Sequence, residues 1–341
     1  MEIKKIGEFG LIDLIRKNIY TRDKRIILSI GDDAAILRCS KNKLLVFTTD
    51  TLMEKVHFDL KYCSYRNVGW KSMAANLSDI AAMGGILLAG IISLGVSSRT
   101  KVEDILKLYS GLKTLSSRFK CPIVGGDIFS SKSLVITISL LGEVEKNLFK
   151  TRSGAKVGDL ICVTGDLGEA EAGLRFLKKS SKNKIPYKNS IIKKHLTPYP
   201  RIEESRLLVK NLKITSMIDI SDGLSSDLYH LCEKSNKGAL IYAEKIPISQ
   251  KTKRVCKLLS LSPLNLALSS GEEYELLFTL NPEEEKKLLK VTQGKFQVSI
   301  IGKIKNKKEG VKILDQYGRI RNNVNLENSK YGSNNFRGCC G

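Results

Sequence analysis

Seven aspartates lie in short, glycine-flanked and mostly apolar segments of this 341-residue chain: Asp32 and Asp33 in GDDAAIL, Asp50 in VFTTDTL, Asp79 in NLSDIAAMGG, Asp127 in IVGGDIF, and Asp219 and Asp222 in MIDISDGL. No Lys or Arg falls inside these five segments. A carboxylate held among apolar neighbours needs a counter-charge, because an uncompensated buried charge is strongly destabilising. A divalent cation is the simplest partner. An all-oxygen donor set points to Mg²⁺, a hard ion that usually bridges to phosphates. The chemistry suggested is that of a metal–nucleotide site.

The run DLICVTGDLG, leading into a helix near Gly168, superficially resembles a strand–turn–helix phosphate loop. It lacks the Lys and Ser/Thr of a P-loop and is not GxGxxG either. A triphosphate bound without that cradle of amides must be neutralised in another way, and several aspartates gripping Mg²⁺ would do it. Each segment also has a plainer reading. GDDAA alone is a turn whose side chains bond local amides. Asp50 is a strand-end residue, and Asp79 a helix-surface charge. Gly125 and Gly126 serve a tight turn, or equally allow a phosphate to approach the backbone. Ser221 or Asp222 would make a good N-cap for a helix over 222–235, and a helix N-terminus also favours anionic ligands. Arg152 in TRSGA binds phosphate or caps a turn. His57, His195 and His230 read as surface residues of their elements, and Glu272 and Glu273 in SGEEYELL as a polar turn.

The elements that must position these residues alternate along the chain. A helix near 7–18 precedes the strand RIILSI, which runs into Gly31-Asp32-Asp33. The strand LLVFTTD delivers Asp50, and a helix over 66–83 carries Asn76 and Asp79 on one face. A strand over 86–96, a helix over 102–119, the short strand PIVGGD ending at Asp127, and the β-branched strand 134–144 follow. Turn residues and charge interrupt the pattern at 145–156. Beyond them come DLICVTGDLG, helix 200–211, strand MIDI, helix 222–235, strand GALIYA, helix 249–260, strand YELLFTL, helix 282–290 and strand FQVSIIGKI. This predicts an α/β protein of the α+β type in two domains, 1–148 and 149–341, with a mobile tail at 332–341.

Composition narrows the class. Hydrophobic content of 42% and 27% charge describe a globular chain, and its length suits two domains or one large one. The net charge of +22 comes mainly from lysines spread along the chain, not from an arginine–aromatic stripe. No specific nucleic-acid partner is expected, and the charge reads as background or as attraction for an anionic substrate. The eight cysteines form no CxxC pair, and MEIKKIGEFG is no secretory leader, so reduced thiols and a cytoplasmic location are expected. Residues 80–98 are uncharged and long enough to span a bilayer. Their glycines instead make them a helix end, a turn and a buried strand, and no membrane association is expected.

Taken together, GDDAAIL, TTDTLMEKVHF, WKSMAANLSDIAAMGG, IVGGD, TRSGAKVGD, IDISDGLSSDL and SGEEYELLF closely resemble the thiamine-monophosphate kinases. That family belongs to a wider ATP-binding group with aminoimidazole ribonucleotide synthetase, selenophosphate synthetase and a hydrogenase-maturation dehydratase. VHF and SGEEYEL are the segments specific to the kinase. The resemblance implies an aminoimidazole-ribonucleotide-synthetase-like architecture, with an N-terminal domain that binds ATP and pairs into a homodimer and a C-terminal α/β domain that closes the site. It implies several Mg²⁺ ions held by Asp33, Thr48, Thr49, Asp50, Asp79, Asp127, Asp219 and Asp222. By the same resemblance Tyr109, Gly126, Asp127, Arg152 and Ser221 contact the nucleotide, and His57 and Glu272 contact thiamine monophosphate. Asp50, Asp127 and Asp222 would carry the transfer of the ATP γ-phosphoryl group to the substrate's phosphate.

One departure stands out. The family carries a substrate-stacking aromatic near its C-terminus, and in Gly332-Ser333-Asn334-Asn335-Phe336 that substrate-binding position is Ser333, with Tyr331 the nearest replacement ring. Of the sibling enzymes, selenophosphate synthetase would need a reactive residue in the N-terminal loop, where GEFGLIDLI has no cysteine. The hydrogenase-maturation relative ends in a substrate cysteine; here Cys339 and Cys340 are followed by Gly341. A basic nucleic-acid-binding protein is the alternative from another class, and the aspartate pattern speaks against it.

Overall fold

The computed structural model describes residues 5, 7–19, 23–28, 36–37, 39–179, 188–315 and 317–322. Asp32, Asp33, Tyr331, Ser333, Cys339 and Cys340 lie outside the described residues. The chain divides into two compact units, Met1–Phe149 with Leu196–Ile202, and Lys150–His195 with Glu203–Gly341.

The first unit runs α1 (Gly7–Ile19), β1 (Ile26–Leu28), β2 (Ile36–Leu37), β3 (Lys43–Met53), α2 (Tyr65–Ala82), β4 (Ile86–Val96), α3 (Val102–Arg118), β5 (Ile123–Ser130) and β6 (Val135–Glu145). Strands β1 and β2 form a small separate pair, and the main sheet has the order β3-β6-β4-β5. Pairing is antiparallel except between β4 and β5. Side chains alternate between the faces of a strand, and the burial of β3 follows that rule. Leu45, Phe47, Thr49, Thr51 and Met53 are exposed, while Val46, Thr48, Asp50 and Leu52 are covered.

Helix α2 opens on a capping box between Ser64 and Asn67, which satisfies two of the amides left orphaned at a helix start. Most of its length is buried, so it carries small residues (MAANLSDIAA) in place of one apolar stripe. It crosses α3 at very close range. A Cβ on Gly69 would sit 2.0 Å from the Leu108 carbonyl oxygen, and one on Gly111 2.0 Å from that of Arg66. The returning stretch Leu196–Ile202 packs here as well. The Trp70 indole Nε1 donates to the Pro198 carbonyl at 2.6 Å, and the Tyr199 ring lies 5.6 Å from that of Phe119, under the Arg118 guanidinium.

The second unit contains β7 (Leu160–Thr164), α4 (Glu169–Lys179), α5 (Lys188–Leu196), α6 (Ile202–Asn211), β8 (Ile214–Asp219), α7 (Leu224–Ser235), β9 (Lys237–Tyr242), α8 (Gln250–Leu259), α9 (Pro263–Ser269), β10 (Leu276–Leu280), α10 (Glu285–Thr292), β11 (Val298–Asn306), β12 (Val311–Leu314) and β13 (Ile320–Asn322). Its sheet has the order β13-β12-β9-β11-β7-β10-β8. Strands β7 and β10 are buried on both faces, which explains their unbroken apolar runs LICVT and LLFTL. One core joins Ile161, Val163, Ile218 and Leu277 to Leu224, Leu228 and Leu231 of α7. A second joins Phe176 of α4, Ile191 of α5, Cys256 of α8 and Leu266 of α9.

Several expectations are corrected. Helix α7 starts at Leu224, and its N-cap is Gly223, with no side-chain capping bond. Neither Ser221 nor Asp222 plays that role. Strand β5 continues past Asp127 to Ser130, because its pairing with β4 runs on through Asp127–Ser93. Strand β10 begins only at Leu276, because Glu272 and Tyr274 both have positive φ, 61° and 51°. Residues 80–98 are indeed a helix end, a turn and strand β4. Among the described residues no helix is long and apolar enough to cross a membrane.

Candidate functional site

Within the first unit, β3 and α2 bring two of the predicted ligands together. The Thr48 hydroxyl donates to Asp79 Oδ2 at 2.6 Å. Asp50 is two residues along the same strand, and so on the same sheet face as Thr48. Thr49 points to the other face, where it accepts from the Ser139 hydroxyl at 2.9 Å. In register, Thr51 faces Thr137, Thr137 faces Ser93, and Ser93 faces Asp127. Paired residues share a face, so Asp127 lies on the open face with Thr49 and Thr51, opposite to Asp50. The sheet therefore splits the predicted ligands Thr48, Asp50 and Asp79 from Thr49 and Asp127. Among the described residues, no group of three or more His, Cys, Asp or Glu is arranged to hold a metal ion.

His57 follows β3 in a turn. Its Nδ1 accepts from the Met53 amide at 3.0 Å, which puts the ring proton on Nε2. Tyr109 is a core residue of α3, and burial pushes its hydroxyl above the ordinary tyrosine range. Gly126 is exposed at the edge strand β5. In the second unit Arg152 is exposed, and its carbonyl accepts from the Ser235 hydroxyl.

The second unit builds a tighter constellation from DISDG and SGEEYE. Beyond the β8–β10 pair Asp219–Leu276, the two segments stay laced together. The Ile220 amide donates to the Glu275 carbonyl, the Tyr274 amide to Ile220, and the Glu272 amide to Ser221, all at 2.7–2.8 Å. Glu272 is thereby set beside Ser221 and Asp222. Asp227, one turn into α7, accepts from the amides of Asp222 and Gly223 at 3.1 Å each. Burial, with Asp219 and Asp222 close by, holds the Asp227 carboxyl well above the usual carboxylate range. Three carboxylates crowd one helix N-terminus, an arrangement that invites positive charge.

The turn of DLICVTGDLG is filled from inside the protein. The Thr164 hydroxyl donates to Glu275 Oε2 at 2.6 Å. A Cβ on Gly165 would lie 2.5 Å from Glu275 Oε1. At the start of α4 the Ala170 amide donates to Glu273 Oε1 at 3.1 Å, and the Ser270 hydroxyl donates to the same oxygen at 2.6 Å. The glycine turn and helix start do hold anions, but these are the chain's own carboxylates. Lys194 closes the arrangement at 2.5 Å from Glu275 Oε1. Burial pushes Glu273 up to about 7, with the Lys194 charge opposing it.

Sequence reasoning missed Asp227, Glu275 and Lys194. The signal for Asp227 was the third aspartate of DISDGLSSD, which falls one turn inside α7 and accepts from the amides of Asp222 and Gly223. Lys194 had no such signal, because the whole of α5 (KNSIIKKHL) reads as a lysine-rich connection.

Comparison with known proteins matches this architecture. The model of the AIR synthase related protein, N-terminal domain, covers residues 31–144, and that of its C-terminal domain covers 156–315. A thiamine-monophosphate kinase of Aquifex aeolicus is 38% identical, over 86% of this chain and 92% of its own length. That of Buchnera aphidicola subsp. Acyrthosiphon pisum is 39% identical, over 93% and 96%. The crystal structure of thiamine-monophosphate kinase from Stenotrophomonas maltophilia superposes with a TM-score of 0.80 at 31% identity, covering 90% of this chain and 96% of that one. A structure described as AaThiL complexed with AMPPCP and TMP gives 0.73 at 35% identity, covering 92% and 95%. The hydrogenase maturation protein HypE in complex with ATP, 18% identical with a TM-score of 0.74, shares the fold.

Proposed function

This chain belongs to the thiamine-monophosphate kinase family of AIR-synthase-related proteins, and from that premise we infer that it transfers the γ-phosphoryl group of ATP to the phosphate of thiamine monophosphate, giving thiamine diphosphate. The observation that carries the reading is the lacing of residues 272–275 onto 220–221, which sets the family-specific GEEYE segment against DISDG. The match spans 92% and 96% of the lengths of two kinase relatives, so both domains of the enzyme are present.

The donor set suits Mg²⁺. Carboxylates and threonine hydroxyls are hard oxygen ligands, and DISDG places Asp219 and Asp222 close to Asp227 at one helix start, where a cation would be favoured. Thr48, Thr49, Asp50, Asp79 and Asp127 of the first unit and Asp219 and Asp222 of the second would hold the ions, with Asp33 outside the described residues. When bound, the ions neutralise phosphate charge as it shifts during in-line transfer. The protein's own work is positioning. Thr48 holds Asp79, Asp227 holds the Asp222–Gly223 turn, and His57 and Glu272 orient the acceptor. Arg152 and Ser221, with Tyr109 and Gly126, are assigned to the nucleotide. The acceptor is an already ionised phosphate, so no general base is required, and catalysis rests on orientation and charge neutralisation.

A homodimer belongs to the same proposal. The open face of the first unit's sheet exposes Leu45, Phe47, Met53, Ile91 and Phe129, an apolar patch that calls for a partner. A cytoplasmic location fits the metabolic activity named in the relatives and the buried cysteines Cys63, Cys121, Cys162, Cys232 and Cys256, none of them in a disulfide.

Incubation of purified protein with ATP, Mg²⁺ and thiamine monophosphate, followed by chromatography of the thiamine esters, tests the function. Thiamine diphosphate should form only with Mg²⁺ present, and unphosphorylated thiamine should be a poor acceptor. Turnover of another acceptor, with none of thiamine monophosphate, would refute the assignment.

A further inference from the structure

We propose that Asn76 is a positioning residue of the cation site on the covered face of the first unit's sheet, its Oδ1 accepting from the water shell of a Mg²⁺ ion held by Asp50 and Asp79. The inference rests on the assignment of those two aspartates as metal ligands. Asn76 is fully buried in α2, and among the described residues its Oδ1 has no hydrogen-bond partner. A buried polar atom without a partner is rare in a folded protein and calls for an explanation, of which a bound ion or water is one.

The orientation of the side chain is fixed. Its Nδ2 donates to the Ser72 carbonyl at 3.1 Å. That carbonyl can only accept, so the amide end must face it and the oxygen must face away. Exchanging the two ends would set two acceptors against each other.

The place of the oxygen follows from how α2 lies on the sheet. Asn76 and Asp79 are three apart and share a face of the helix, and Asp79 reaches Thr48 on β3. The helix ends just before β4 begins at Ile86, which pairs with Glu143, and Glu143 pairs with Leu45. A step back along α2 therefore moves along β3 from Leu45, past Thr48 and towards Asp50. One turn of helix covers about 5 Å, and two residues of strand about 7 Å. Asn76 is thus brought to the level of Asp50, which shares the covered face with Thr48. The β6 residues paired with Thr48 and Asp50 are Leu140 and Ile138, both fully buried. Against that apolar floor, the polar atoms of Thr48, Asp50, Asn76 and Asp79 gather in one place.

Two carboxylates are a thin donor set for a divalent ion. Mg²⁺ is octahedral and keeps several waters when one or two carboxylates hold it. Such waters need acceptors for their own protons. Asp50 and Asp79 are partly exposed, whereas Asn76 lies deeper, which suits an outer acceptor better than a direct ligand. A carboxamide fills that role without adding a third negative charge to the pair.

Thermal unfolding in EDTA and across a Mg²⁺ titration, without nucleotide, should be compared for wild type, Asn76→Leu, Asn76→Asp, Asp50→Asn and Asn76→Leu/Asp50→Asn, with circular dichroism of each. Leucine fills a similar space and removes the unpartnered oxygen, so Asn76→Leu should unfold no lower than wild type in EDTA. Its Mg²⁺ midpoint should rise about tenfold, as for other groups that hold a metal's outer ligands. Asn76→Asp keeps the oxygen and adds a charge. It should unfold lower in EDTA and recover with Mg²⁺, its midpoint within about threefold of wild type. In the Asp50→Asn background, Asn76→Leu should add no more than about twofold. A Mg²⁺ midpoint unchanged in Asn76→Leu would make the oxygen the seat of a permanent water and overturn the inference. So would a deficit in Asn76→Asp that Mg²⁺ leaves untouched, additive effects of Asn76→Leu and Asp50→Asn, or wild-type unfolding indifferent to Mg²⁺. If Asn76→Leu does not fold, the response of Asn76→Asp decides. A wild-type protein that makes no thiamine diphosphate would refute the functional reading, while the Mg²⁺ midpoints would still decide the role of Asn76.

Discussion

Thr48 on β3 and Asp79 on α2 meet through a 2.6 Å hydrogen bond in which the hydroxyl donates to the carboxylate. The bond joins a strand to the helix that covers it, and it fixes the rotamer of a proposed metal ligand. Thr48→Val keeps the shape and removes one hydrogen bond to a half-buried carboxylate, at a cost of about 1–2 kcal/mol. A lower unfolding temperature and a higher Mg²⁺ concentration for half-maximal rate are expected. Calorimetry and a Mg²⁺ titration of initial rate would check both.

Asp50→Asn and Asp222→Asn each remove a charge from the proposed metal–phosphate assembly without changing side-chain volume. Turnover should fall about 10²–10³-fold in each, the usual cost of losing one charge-stabilising group at a transition state. Circular dichroism should show the fold intact. Full activity in a folded Asp222→Asn protein would reduce DISDG to the entry of a helix.

Glu273 gives the protein a pH signature. Burial raises its folded-state pKa from 4.5 to about 7. Below the unfolded value both states carry the proton, and its contribution to stability is fully present. That contribution is lost as pH rises through about 7. Each factor of ten in proton affinity is worth about 1.4 kcal/mol, so the loss between about pH 4 and pH 8 is at most about 3 kcal/mol. Denaturant unfolding across that range should show the decline in wild type and a flatter profile in Glu273→Gln.

Phe47 is the most exposed of the large apolar residues on the first unit's sheet, at 69%. If a second copy covers this face, Phe47→Asp will bury a charge at the interface and separate the copies. Light scattering should give about twice the chain mass of 37.9 kDa for wild type and a value nearer the single chain for the variant. A monomeric, active wild-type protein would contradict the proposed dimer.

The regular elements were legible where one local pattern dominated. Strand β6 alternates β-branched and polar residues, and β7 and β10 are short apolar runs between turns, so each declared its type. Helix α5 did not, because KNSIIKKHL shows only two adjacent apolar residues and a leucine among lysines. The aspartate motifs were legible as a set, and DISDG and GEEYE proved to be neighbours. Which partner each residue takes was not legible. Thr48 and Asp79 are 31 positions apart, and Thr164 and Glu275 are 111 apart, so only the folded sheet brings them together. The misplaced N-cap has the same origin. Asp227 reaches back to the amides of Asp222 and Gly223, just ahead of the helix start at Leu224.

The bond from Trp70 to the Pro198 carbonyl makes the protein its own optical gauge. Trp70 is the only tryptophan in the chain, so its emission comes from a single, structurally defined place. While Leu196–Ile202 is seated, the indole is half-buried and its N–H engaged. Release of that stretch would hand the ring to water and move the emission to longer wavelength. Seating of the stretch can thus be followed during binding or turnover with no added label.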